Sequence, residues 1–257
     1  MKHDSQEFAA IAERGTILRC QVGSGLHGTA VAGQDDRDEM GICVEPPEYV
    51  IGLRRFEQYI FRTQPEGVRS GPGDLDLTVY SLRKWLRLAL AGNPTVLLPL
   101  FVPESEIVRI DELGHEIRAN PEMVVSRVAG KRFQGYLRAQ RSRMLGLRGR
   151  HTNRPELIEK YGFDTKFAMH MVRLGVQGVE LLETGRITLP VPEPWLTWLR
   201  DLRQGRRTKD EALEAAEELE NKLAKLADSS PLPERGDENR ANAWLVRAYE
   251  RAWSRAA

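Results

Sequence analysis

The sequence predicts an α+β protein: a strand-bearing N-terminal domain over residues 1–115, followed by a mainly α-helical C-terminal domain over 116–257. Three observations carry this reading. Short β-branched or alternating segments, bounded by Gly, Pro and Asp, cluster in the first hundred residues. After Ser81 the apolar residues no longer alternate and instead recur at helical spacing. Beyond Phe101 helical patterns run almost without interruption. Strands segregated from helices along a chain are the mark of α+β organisation.

The elements follow in order. Residues 5–14 form a short helix, and Thr16 to Val22 is a β-branched run that stops at Gly23-Ser24-Gly25. Leu26 to Ala32 can make a second short helix. Gly33-Gln34-Asp35-Asp36 is a polar turn, and Met40 to Val44 is a strand that ends at Pro46-Pro47. Phe56 to Phe61 is a third strand. Residues 65–73, rich in Gly and Pro, are a loop, and Asp74 to Tyr80 alternates as a half-buried strand does. Leu82, Trp85 and Leu86 open a helix that Gly92-Asn93-Pro94 stops. Helices are then expected near 112–119, 121–148, 155–160, 164–184, 194–203, 208–227 and 238–255, with a hinge-like loop at Ser229–Pro233.

Composition narrows the class. At 41% hydrophobic and 29% charged residues the chain has the balance of an ordinary globular protein rather than a disordered one. The net charge of +1 supplies no overall field for nucleic acid, although local basic clusters can. No apolar run approaches the ~20 residues that span a bilayer. The first seven residues include two acids and no apolar core, unlike a signal peptide. Cys20 and Cys43 sit in apolar strands without a CxxC partner and read as buried, reduced thiols. A cytoplasmic protein with no membrane segment is expected.

The chemistry concentrates between residues 22 and 42. A strand ends in Gly23-Ser24 at a helix start, where backbone N–H groups and the Ser24 hydroxyl can hold phosphate oxygens. Twelve positions after Ser24 comes Asp36-Arg37-Asp38, entering the next strand. Residues i and i+2 of a strand project to one face, so Asp36 and Asp38 converge. Like charges held together repel unless a cation or proton lies between them. Oxygen ligands of this kind suit Mg²⁺ or Mn²⁺ shared with substrate phosphates. Asp76 or Asp74, on a later strand, would complete a three-acid site. Gly-Ser or Asp-x-Asp alone is commonplace; the order, spacing and strand context together are what single them out.

These residues resemble the motif of the DNA-polymerase-β nucleotidyltransferase superfamily: hydrophobic-Gly-Ser, a helix, then Asp-x-Asp on a strand. The longer pattern is similar to one branch, the RlaP-type, RNA-repair-associated nucleotidyltransferases. It includes Gly28-Thr29-Ala30, Gly41-Ile42, Asp76 through Lys84, Gly92-Asn93-Pro94 and Tyr161 through His170. The resemblance implies a short mixed sheet with helices packed on it, and a catalytic domain within 1–115. It implies that Asp36, Asp38 and Asp76 hold the metal, Mg²⁺ or Mn²⁺. Asp76 would favour deprotonation of an attacking hydroxyl, while Gly23 and Ser24 would hold the nucleotide's phosphates. Two departures from the branch are Thr78, where an acid is often found, and Gln34, near a position that is often serine.

A second constellation lies on a helix. Asp164 can cap it, and Lys166, His170 and Arg173 share one face while Phe167, Met171 and Leu174 share another. Three cationic side chains on a stripe suit a triphosphate or a nucleic-acid backbone, or are a solvated basic face. The branch motif assigns Lys166 and His170 to the triphosphate. Arg83 and Lys84 are further candidates for phosphate. The basic stretch from Lys131 to Arg150, with Phe133 and Tyr136 interleaved, can meet single-stranded nucleic acid or be the wet side of a helix. Trp195, Trp198, Trp244 and Trp253 are expected as core anchors, and the helix at 208–227 as packing.

The function expected is transfer of a nucleoside monophosphate from an NTP or dNTP to a hydroxyl, on an RNA or DNA end, with release of pyrophosphate. The alternatives are the same chemistry on a small molecule or protein, and a non-catalytic nucleotide-binding regulatory module.

Overall fold

The computed structural model describes residues 3–31, 33, 35–65, 67–147 and 154–255. Ser5 caps α1 (Gln6–Gly15) by accepting from the Phe8 amide at 3.2 Å. The chain then enters β1 (Thr16–Val22) and turns at once through α2 (Gly23–Leu26). The short helix expected over 26–32 is therefore displaced to the strand's end. β2 (Arg37–Cys43) begins three residues before the expected strand, which places Asp38 inside the sheet ladder. α3 (Pro47–Val50), β3 (Gln58–Arg62), β4 (Leu75–Ser81) and α4 (Leu82–Leu90) follow. A four-residue edge strand, β5 (Ile107–Ile110), precedes α5 (Glu112–Ala119); helical patterning after Phe101 concealed it.

The sheet is mixed, in the order β3-β4-β2-β1-β5, with β2 and β4 parallel and the other described pairs antiparallel. Register assigns the faces. Leu77 and Val79 of β4 and Cys43 of β2 pack against Phe8, Ile11 and Ala12 of α1, with Tyr49 and Phe56 closing the cluster. Phe8 and Phe56 meet edge to face at 5.0 Å. Glu39 lies on this α1 face and is buried, bridged to Arg19 at 2.5 Å and Arg37 at 2.6 Å. Leu18, Cys20, Met40 and Ile42 point to the opposite face and are buried there. Burial pushes the Cys20 thiol up to about 12, so both cysteines are inert free thiols.

The remaining helices are α6 (Val128–Met144), α7 (Pro155–Tyr161), α8 (Thr165–Thr184), α9 (Trp195–Arg203), α10 (Lys209–Ser229) and α11 (Glu238–Ser254). Packing groups the described chain into two compact units. One holds residues 1–90, 95–124 and 236–257; the other holds 91–94 and 125–235. This grouping is not a single cut at 115, because α11 returns to the sheet unit. There Trp244 Nε1 and Arg251 Nη1 donate to Glu116 at 3.0 and 2.6 Å, and Trp253 Nε1 donates to the Glu45 carbonyl at 3.0 Å.

In the helical unit α8 is the central element, between α6, α9 and α10. A side chain at Gly178 would lie 2.7 Å from Phe133 Cβ and 3.0 Å from Leu223, so only glycine lets the three helices approach this closely. The loop after α10 is not a free hinge: buried Ser230 donates to the Leu182 carbonyl at 2.5 Å, and Pro233 accepts from the Arg127 amide at 2.9 Å. No helix among the described residues is long and apolar enough to cross a membrane.

Candidate active site

The parallel pairing of β2 with β4 sets Asp38 directly opposite Asp76. Both project from the face opposite α1, and Asp36, two residues before Asp38, joins them. Carboxylate oxygens from Asp36, Asp38 and Asp76 all lie within 4.8 Å of one another, on half-buried side chains. Three carboxylates this close repel one another, and a cation among them would relieve that repulsion. A set of oxygen donors alone fits a hard divalent ion.

Gly23 stands against this cluster. It has φ +75°, and a Cβ there would fall 2.0 Å from Asp38 Oδ2 and 2.7 Å from Asp38 Cγ. The β1–α2 turn thus passes so near the Asp38 carboxylate that no side chain fits between them. Ser24, buried, opens the first turn of α2, whose N–H groups have no partner within a helix. Its carbonyl accepts from the Thr29 amide at 3.0 Å, which closes the loop.

Asp74 and Asp76 differ in their surroundings. Asp74 accepts from the Gly71 amide and from Gln64 Nε2, both at 2.9 Å, and so braces the turn into β4. Asp76 belongs to the acidic cluster, and its Oδ1 accepts from Arg62 Nε at 3.1 Å and Ser70 Oγ at 3.0 Å. Arg62 Nη2 also donates to Ser70 Oγ at 2.8 Å and to the Val68 carbonyl at 3.2 Å. Sequence reasoning missed Arg62 and Ser70. Arg62 faces Asp76 only through the β3–β4 register, and the expected strand stopped one residue short of it.

In the helical unit, Asp164 caps α8 by accepting from the amides of Lys166 and Phe167, each at 3.0 Å. Lys166, His170 and Arg173 are half-buried rather than solvated. Met171 and Leu174 enter the core as expected, but Phe167 is half-buried with the Arg154 guanidinium 4.5 Å over its ring. Arg173 Nη2 lies 3.4 Å from His170 Nδ1, and Nη1 donates to Gln177 Oε1 at 2.8 Å. Burial, and then the charges of Arg173, Lys166, Arg203 and Arg154, hold the imidazole well below the ordinary histidine range. The unfolded chain binds a proton at His170 more readily than the folded one. Stability from this ring is therefore complete above about pH 6.5 and falls as pH drops below it. Thermal denaturation between about pH 5 and 8 should show that slope, and His170→Gln should flatten it; an unchanged slope would show that another group carries it.

The other candidates are engaged locally. Lys84 Nζ donates to Gln58 Oε1 at 2.8 Å, and Arg83 Nη1 reaches the Val50 carbonyl at 3.5 Å. Phe133 is in the core, and Arg138 and Arg141 bridge to Glu220 at 2.5 and 2.7 Å, so much of that basic stretch serves α6–α10 packing. Arg148, Arg150 and Gln34 lie outside the described residues. Trp244 is a buried anchor, whereas Trp195, Trp198 and Trp253 are half-buried, the first two forming an edge-on pair at 5.7 Å.

Among curated proteins none matches the chain. Among solved structures, a nucleotidyltransferase-like protein from Exiguobacterium sibiricum 255-15 aligns with 11% sequence identity and a TM-score of 0.31, covering 86% of this chain and 71% of that one. Residues 1–247 match RlaP, the RNA repair pathway DNA polymerase beta family. That match takes in both the acidic cluster of the sheet and the cationic face of α8, and the chain belongs to this family of polymerase-β-type nucleotidyltransferases.

Proposed function

We propose that the chain transfers a nucleoside monophosphate from an NTP or dNTP to a hydroxyl at an RNA or DNA end. The observation that carries the reading is the convergence of Asp36, Asp38 and Asp76 within 4.8 Å, beside a turn that has no room for a side chain at Gly23. Mg²⁺ or Mn²⁺ held by these three carboxylates would neutralise charge on the phosphates and acidify the attacking hydroxyl. Ser24 and the amides of the β1–α2 turn would hold the β- and γ-phosphates, and within the helical unit Lys166 and His170 are the residues whose charge suits a triphosphate. The acceptor oxygen forms a bond to the α-phosphorus while the bond to the β-phosphate oxygen breaks. The hydroxyl proton leaves toward Asp76, and pyrophosphate departs. Arg62 and Ser70, both on Oδ1 of Asp76, would fix the direction of that carboxylate.

The test is incubation with Mg²⁺ or Mn²⁺ and α-³²P-labelled nucleotides, with RNA, DNA, aminoglycosides and bulk protein as acceptors in turn. Label on nucleic acid is expected. Label confined to small molecules or protein would move the acceptor, and no label with no metal-dependent nucleotide binding would sink the enzymatic reading. A finer expectation separates the two candidate third carboxylates. Asp76→Asn should lower incorporation ~100-fold or more, the scale of losing one charged group at a transition state. Asp74→Asn, which loosens a turn, should lower it only a few-fold. Reversed magnitudes would reassign the third acid.

A further inference from the structure

The loop between β3 and β4 delivers a hydroxyl of the chain itself to the third carboxylate. Ser70 Oγ donates to Asp76 Oδ1 at 3.0 Å and accepts from Arg62 Nη2 at 2.8 Å. The loop around it is tied down. Arg62 Nη2 also donates to the Val68 carbonyl at 3.2 Å, the Gly71 amide donates to the Asp74 carboxylate at 2.9 Å, and the Asp74 amide donates to the Gly71 carbonyl at 3.0 Å. A neighbouring hydroxyl, that of Thr63, is spent on the backbone: it donates to the Leu75 carbonyl at 3.2 Å and accepts from the Leu75 amide at 2.6 Å. The Ser70 hydroxyl meets two charged side chains instead. Ser70 is half-buried, so the loop does not seal it from a ligand.

A serine between an arginine and an aspartate is often only a brace for the pair. Here three observations point further. The serine proton lies on the carboxylate that the transfer reading uses as its base, and 3.0 Å is within the reach a general base needs. That carboxylate is one of the three whose oxygens lie within 4.8 Å of one another. Arg62 sets positive charge beside the oxygen that must gain negative charge as it attacks.

We propose that the chain transfers a nucleoside monophosphate to its own Ser70. The proposal rests on the nucleotide-transfer reading for its donor, and goes beyond it by naming an acceptor hydroxyl within the chain. Ser70 Oγ forms a bond to the α-phosphorus while the bond from that phosphorus to the β-phosphate oxygen breaks. The hydroxyl proton passes to Asp76, and pyrophosphate leaves. A tethered hydroxyl needs no encounter with a partner, so the step is first order in the chain.

The test incubates the full chain with Mg²⁺ and α-³²P-labelled nucleotides, first with no added acceptor and then with RNA or DNA. Label should stay on the chain through denaturing electrophoresis, whereas γ-labelled nucleotides should leave none. Trypsin cleaves after Arg69 and Arg83, so mass spectrometry should find one nucleoside monophosphate on Ser70 in the peptide 70–83. The label should be lost in Ser70→Ala and in Asp36→Asn/Asp38→Asn, and kept at position 70 in Ser70→Thr. Its rate per chain should not change on dilution; a rate that rises with concentration overturns transfer within one chain. Label undiminished by Ser70→Ala, or carried from the γ-position, overturns Ser70 as the acceptor. Label on RNA or DNA with none on the chain overturns the proposal and leaves the nucleotide-transfer reading. Label on Ser70 with none on nucleic acid upholds the proposal and removes the nucleic-acid end from that reading. No label on the chain or on any acceptor overturns both.

Discussion

Replacing Asp36 and Asp38 together by asparagine is expected to abolish nucleotide incorporation while leaving the fold intact. Two of three charges leave a cluster whose oxygens lie within 4.8 Å of one another. Amide oxygens are weaker ligands for a hard cation, so the loss in rate should be at least ~10³-fold, the upper range for removing one transition-state stabiliser. The stability change should be within about 1 kcal/mol, because loss of native contacts is offset by relief of like-charge repulsion. Metal response is a second readout. Mg²⁺ that binds only the folded chain raises its stability by ~2.7 kcal/mol at a hundred times the dissociation constant. The wild-type melting temperature should therefore climb with Mg²⁺, and that of the double variant should not. A variant that keeps full incorporation, or the full Mg²⁺ response, would refute the metal assignment.

Gly23→Ala is the second large effect, and it reaches the same cluster through the backbone. A left-handed conformation costs an alanine ~1–2 kcal/mol. More important, the new methyl would sit 2.0 Å from Asp38 Oδ2, closer than atoms can approach, so Asp38 or the turn must move. A displacement of about 1 Å at a reacting centre costs ~100-fold in rate. Incorporation should fall at least that far, with a stability loss of about 2 kcal/mol. Assay and thermal denaturation of the same preparation separate the two effects. Wild-type activity in Gly23→Ala would mean that the position of Asp38 is not critical.

Much of this arrangement was legible in the sequence because it depends on local pattern. The Gly23-Ser24 break, the Asp36-x-Asp38 spacing and the alternation from Asp74 to Tyr80 are short-range signals, and strand periodicity gives the face each residue takes. What remained hidden depends on register and tertiary contact. Arg62 meets Asp76 only because β3 pairs with β4 in one particular alignment. The different surroundings of Asp74 and Asp76 depend on a turn amide that captures the Asp74 carboxylate, while Asp76 lies beside Asp36 and Asp38. Arg203 and Arg154 lie far apart in sequence, and nothing in their spacing brings them beside α8. The edge strand at Ile107–Ile110 is too short to show a period of its own.

The return of α11 to the sheet unit bears on the order in which the protein is made. Residues 125–235 form a nearly continuous helical unit, whereas the sheet unit closes only with residues 236–257. On the ribosome, domains ordinarily mature from the N-terminus onward. Here the sheet segment must wait, because Glu45 and Glu116 acquire their partners Trp253, Trp244 and Arg251 only after residues 125–235 have been made. The acidic cluster is thus translated before the helical unit but belongs to a unit completed after it, and a nascent chain stalled before residue 236 would hold a finished helical unit attached to an unfinished sheet.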